Sequence, residues 1–178
     1  MPGFNINDIG DGPLNNIETL RDQRWLINRM GPRASSIGND QLLLARDLTL
    51  PKFRPEQLDI MGGVLHYKYV KGIKWEDVSV TFYDNSKIIT ELMNWYAQIY
   101  RGNTGGATGL GIHDDYKGVS EFSLLDGKGE VVQKVTLNGS WPSNIDFGKM
   151  SYTSSNIKIV EVTLSYDWAV FYPMKQLN

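Results

Sequence analysis

Alternation of apolar and polar positions dominates this chain. In "NIKIVEVTLSYDW" (residues 156–168), Val160, Val162, Leu164, Tyr166 and Trp168 fall on one side and Glu161, Thr163, Ser165 and Asp167 on the other. Successive strand side chains point to opposite faces, so this pattern predicts a half-buried final strand. "WEDVSVTFYD" (75–84) sets Val78, Val80 and Phe82 against Ser79 and Thr81 in the same way. Residues 58–72 predict two strand-like pieces around Gly62-Gly63, with Leu65, Tyr67 and Tyr69 on the more apolar side. Residues 119–139 predict a β-hairpin whose turn is "DGKG" (126–129), Asp-Gly being the local hairpin signal. "RWLINRM" (24–30) predicts a first strand, and "QLLLARDLTLP" (41–51) a second, stopped by Pro51.

One segment changes period. In residues 85–102, Ile88, Leu92, Trp95, Tyr96 and Ile99 recur at spacings of three and four, which predicts an amphipathic helix. Asn85 or Ser86 suits its N-cap, because a short polar side chain satisfies free backbone N–H groups there. Gly102 suits its stop. Residues 31–40 and the glycine-rich 102–111 read as loops. Residues 1–19, rich in Gly, Asn, Asp and Pro, read as an extended arm. The expectation is one mainly β domain over residues 20–178, an antiparallel barrel or sandwich with a single flanking helix.

Composition narrows the function. The chain has 178 residues, enough for one domain with a real core. It has no cysteine, which removes disulfides, thiol catalysis and zinc–thiolate sites. A net charge of -2 argues against a protein whose main task is gripping nucleic acid. The first residues lack the basic and apolar regions of a secretory signal. The longest apolar run, "WAVFY" (168–172), is far below the roughly 18 residues of a spanning helix, so no membrane partner is expected.

Candidate chemistry is sparse. His113, Asp114 and Asp115 form the one local cluster with metal or acid–base potential, and a solvated loop is the better reading of it. The glycine loop has no following Lys and lies after the helix, unlike a phosphate cradle. No nucleophile–base pattern is present in the sequence. Nine Tyr and five Trp would suit a sugar-stacking platform, so a carbohydrate-binding β-sandwich is the alternative from a different class. Core and interface anchors are the preferred role for them. No catalytic residue, metal site or cofactor is expected.

Several segments in order resemble the tail tube proteins of contractile-tailed, T-even-like bacteriophages, across about residues 24–168. They are "LTLPKF" (48–53), "WEDVSVTFYD" followed by the helix with "NWY" (94–96), "LNGSWPSN" (137–144) and "EVTLSYD" (161–167). The resemblance implies a β-barrel-like subunit, six of which close into a ring. Rings stack into a tube inside a contractile sheath, and DNA passes through the lumen without specific binding. The implied partners are further copies of the chain, the sheath protein, the baseplate and tail terminator proteins, and the tape measure protein. The implied location is the virion tail, assembled in the host cytoplasm. A tube-initiating baseplate protein and a secretion-system tube share the fold and remain alternatives.

The resemblance also gives the odd Trp141-Pro142 pair a meaning. It is expected to form a corner ending the hairpin, since Pro142 lacks an N–H and limits pairing. Trp141 would anchor either a core edge or a neighbouring subunit. Ile60, Met61, Leu65 and Tyr67, with the N-terminal arm, are expected at the stacking contacts, alongside Trp141 and Pro142 at subunit interfaces. Glu121, Asp126 and Glu130 are the expected lumen-facing acids.

Overall fold

A computed structural model of the chain describes residues 21–32, 37–62, 65–100, 113–153 and 156–173. The N-terminal arm and the glycine loop 102–111 lie outside them. In chain order the elements are β1 (Trp25–Arg29), α1 (Asn39–Leu42), β2 (Ala45–Leu48), β3 (Lys52–Gly62), β4 (Leu65–Glu76) and β5 (Val78–Tyr83). Then follow α2 (Ser86–Ile99), α3 (His113–Tyr116), β6 (Gly118–Leu125), β7 (Val131–Asp146), β8 (Ile159–Ser165) and β9 (Trp168–Pro173). All strand pairs are antiparallel.

β7 organises the body. Its first half pairs with β6 on one side and β9 on the other; its second half pairs with β8. Two sheets result, β1-β6-β7-β9 and β7-β8-β5-β2, continuous through β7. β8 and β9 follow the same side of β7, so the two form a ribbon that bends from one sheet into the other. The bend lies at Gly139, with φ +66°, opposite Asp167. That dihedral is costly for any residue with a Cβ. Asp167 holds the turn: its N–H donates to the Asn138 carbonyl (2.9 Å) and its carboxylate pairs with Lys117 (2.7 Å).

The core lies between the sheets and α2. β5 contributes Val78, Val80 and Phe82 and β8 contributes Val160, Val162 and Leu164, all fully buried, as their alternation requires. Phe122, Val135 and Leu137 face them from the other sheet. α2 adds Ile88, Leu92 and Trp95, and its start is capped by Asn85, whose Oδ1 accepts the Lys87 N–H at 3.0 Å. Satisfying a free N–H in this way is typically worth about 1 kcal/mol. No described helix is long and apolar enough to cross a membrane.

Four expectations need correction. Residues 41–51 do not form one strand: a short helix ends at Leu42, which is buried, and β2 stops at Leu48. The final strand breaks at Tyr166–Asp167, which rotates Trp168 off the buried face and leaves it 52% exposed. Tyr96 is not on the buried stripe but 45% exposed. The Trp141-Pro142 pair does not end the hairpin, because β7 continues to Asp146. Pro142 is tolerated there because the β7–β8 register slips between Pro142 and Asn144, and a bulge leaves an N–H that the ladder does not need.

Candidate assembly surfaces

β3 and β4 form a long two-stranded hairpin outside both sheets. The apolar residues of β4 follow period two (Leu65, Tyr67, Tyr69, then Ile73 and Trp75), yet the register places them on two different faces. An extra residue in β4 opposite Glu56 and Gln57 makes a bulge, and one inserted residue moves a period-two series to the other side. Towards the tip, Leu58 pairs with Tyr69, Ile60 with Tyr67 and Gly62 with Leu65, giving one apolar face. Its reverse carries Gln57 opposite Val70, Asp59 opposite Lys68 and Met61 opposite His66, with Val70 and Met61 strongly exposed. Towards the base the apolar pairs are Phe53 with Trp75 and Pro55 with Ile73, on that reverse face.

The base is tied to the body. Trp75 packs between Phe53 (centroids 5.6 Å apart) and Tyr166 (5.9 Å). The Tyr166 hydroxyl donates to the Glu76 carbonyl at 2.8 Å, and the Ser165 hydroxyl donates to Asp77 at 2.8 Å. Burial, helped by the charges of Asp77 and Glu76, pushes the Tyr166 phenol up to about 12. The folded protein therefore holds this proton where the unfolded chain has lost it. The resulting stabilisation is complete below about pH 10 and disappears as pH rises through about 12. Tyr166→Phe is expected to remove one late-titrating tyrosine from the ultraviolet titration. It should flatten the loss of stability over that window and cost about 1 kcal/mol at neutral pH. Unchanged titration would show that another tyrosine carries the shift.

Among the described residues the tip has no such tie. Ile60 is 47% exposed, Met61 71%, Leu65 61% and Tyr67 45%. An isolated two-stranded ribbon with an uncovered apolar face is marginal in water.

The Trp141-Pro142 pair sits at the second sheet. Trp141 is half-buried and meets Tyr116 edge-on at 6.0 Å, and Pro142 is buried. The expected lumen acids scatter. Glu121 is ion-paired with Lys134 at 2.8 Å. Asp126 is buried, and its carboxylate accepts the N–H groups of Lys128 and Glu130 (both 2.8 Å) inside its own turn. Glu130 is exposed beside that turn. Sequence reasoning missed a different acidic row: Asp47, Thr81, Glu161 and Asp146 lie side by side across β2, β5, β8 and β7. The next row is Ser79, Thr163 and Asn144, with Thr49 bonded to Ser79 at 2.7 Å. These two rows carry hydroxyls, an amide and carboxylates, and Tyr83 with Ile159 follows them on the same face. The pattern was visible in the polar halves of the alternating segments; only the strand order aligns them.

His113 and Asp114 are exposed on the single turn α3, and His66 lies on the hairpin. Among the described residues no three His, Asp or Glu are placed to hold a metal. β1 and β2 each have one side without a strand partner among the described residues, as do β9 and the second half of β7.

No protein-family model and no curated protein matches the chain. Solved structures do. One is from the PVC sheath–tube complex of an extracellular contractile injection system in its extended state. It has 14% identity over 97% of this chain and 100% of that one, with a TM-score of 0.65. A second is from the PVC sheath/tube terminator, with 15% identity over 88% of this chain and 98% of that one, TM-score 0.66. A third is from the six-fold symmetrised baseplate of the anti-feeding prophage, with 14% identity over 90% and 99%, TM-score 0.66. The sheets, the single main helix and the near-complete overlap agree: this chain has the tube-protein fold found in contractile injection systems.

Proposed function

We propose that this chain is a structural subunit of a contractile phage tail: the main inner tube protein, six copies of which close into a ring. Rings stack within a sheath between a baseplate and a terminator, and DNA passes through the channel. The observation that carries this reading is the protruding hairpin β3–β4, whose uncovered apolar tip needs a neighbour. The open strand edges support it, because unpaired edges invite pairing with the next copy. The likeness to chains from sheath–tube, terminator and baseplate assemblies supports it independently.

In this reading the lumen wall is the outer face of β2-β5-β8-β7. Glu161 and Asp146 make that face acidic, Asp47 being ion-paired with Arg46, and the surrounding hydroxyls stay wet, so DNA is not held. Of the acids expected from the sequence, Glu121 is neutralised by Lys134 and Asp126 is spent on its turn.

Purified protein, weighed in solution and imaged by negative stain at rising concentration, is expected to give open rings or hollow tubes. A chain that stays monomeric at every soluble concentration overturns the reading.

A further inference from the structure

We infer that the apolar tip of the β3–β4 hairpin seats in the groove between α2 and the second half of β7 on another copy of this chain. This rests on the tube reading and specifies the contact between rings. Two apolar surfaces stand exposed on the subunit. The donor is the tip face of Leu58, Ile60, Leu65, Tyr67 and Tyr69, all exposed. The receiver is a groove of about 320 Å³ lined by Met93, Tyr96, Pro142, Ile145 and Phe147, with Ser143 and Asn144 at its polar side. Met93 and Tyr96 are 46% and 45% exposed on α2, and Tyr100, just past the end of the helix, packs its ring 6.4 Å from that of Tyr96.

The hairpin cannot satisfy its own tip. Its base lies on the body through Trp75 and Tyr166, and the bulge turns the distal apolar series to the opposite side of the ribbon. The base is thus anchored to its own subunit through Trp75, with Phe53 and Ile73 beside it still exposed, and the distal apolar series is presented outward. Charge favours the same partner. Residues 52–76 carry Lys52, Arg54, Lys68, Lys71 and Lys74 against Glu56, Asp59 and Glu76, a net +2 in a chain of net -2, so the rest of the molecule carries -4. A cationic protrusion therefore approaches an acidic body, and opposite charge steers that encounter. A protrusion and a receptacle at different places on one molecule make a heterologous contact, which repeats head to tail instead of closing as a dimer.

The chain has no cysteine, so a single introduced pair reports the contact. A Tyr67→Cys chain and a Met93→Cys chain, mixed, assembled and oxidised, are expected to give a disulfide-linked dimer as the dominant species on a non-reducing gel. Lys68→Cys, on the reverse face of the tip, mixed with Met93→Cys should give about tenfold less, because a disulfide needs closely placed and facing Cβ atoms. If Tyr67→Cys impairs assembly, Ile60→Cys tests the same face from the paired strand. Tubes visible in the microscope without the Tyr67–Met93 link, or with an equal Lys68 link, overturn this inference and leave the tube standing. Failure of the unsubstituted protein to form any ring or tube overturns both.

Discussion

Trp95→Ala is expected to destabilise the domain by about 4 kcal/mol, the upper range for deleting a buried aromatic. The melting temperature should fall by about 10 °C for a chain of this size. Among the described residues Trp95 is the largest fully buried side chain, 1% exposed, and it occupies the helix side of the core beside Leu92 and Ile88. Its loss removes more than volume. The indole Nε1–H donates to the Tyr116 carbonyl at 2.7 Å, a polar tie between α2 and the α3 turn. Tyr116 in turn packs on Trp141. Alanine therefore leaves a cavity, an unmet carbonyl and a loosened wall under Trp141. Trp95→Phe refills most of the space but not the donor, and should cost about 2 kcal/mol. Denaturant unfolding of both variants checks the order. Equal losses would mean that the indole hydrogen bond contributes nothing, and a loss under about 1 kcal/mol for alanine would contradict the packing itself.

Where one physical rule governed a segment, the sequence was readable. β5 and β8 bury one face against the core, so alternation alone named Val78, Val80, Phe82, Val160, Val162 and Leu164. Asn85 and the three-four spacing named α2, and Asp-Gly named the β6–β7 turn. The failures arose where two rules competed. "QLLLA" has no period, so a helical turn and a strand look alike there, and tertiary burial of Leu42 decided between them. Tyr166 and Trp168 continue the pattern of β8, yet the Asp167 contacts to Asn138 and Lys117 bend the chain between them. The hairpin shows the same limit at the candidate surface. Its apolar positions were named, but the bulge that divides them between two faces is a property of strand pairing, which one strand's sequence does not carry. The groove on α2 was not legible: the three-four spacing puts Tyr96 on the core stripe, and only its exposure, shared with Met93 and Tyr100, separates a second stripe from the buried one.

The corner between the two sheets sets the second large effect. Gly118→Ala is expected to cost about 3 kcal/mol, the severe end for overpacking. A Cβ on Gly118 would stand 1.9 Å from the Gly31 carbonyl oxygen, 2.8 Å from its carbon and 2.9 Å from the Pro32 Cα. All three are backbone atoms, and Pro32 is bridged to Gly118 itself, so nothing can rotate aside. Either β6 separates from the segment after β1 or the bridge breaks. Gly139→Ala should cost less, though its φ of +66° is unfavourable for alanine. Its new Cβ would meet the Asp167 carboxylate at 2.1 Å, and a side chain can swing away once its pair with Lys117 is given up. The two variants therefore distinguish a backbone clash from a side-chain clash at one corner. Thermal unfolding should rank Gly118→Ala below Gly139→Ala, and salt should narrow the gap between Gly139→Ala and the parent, since its loss includes a half-exposed ion pair that salt already weakens. A Gly118→Ala protein melting with the parent would mean that residues 31–32 do not lie against β6, and the first sheet would then begin at β1 without the bridge that fixes its approach.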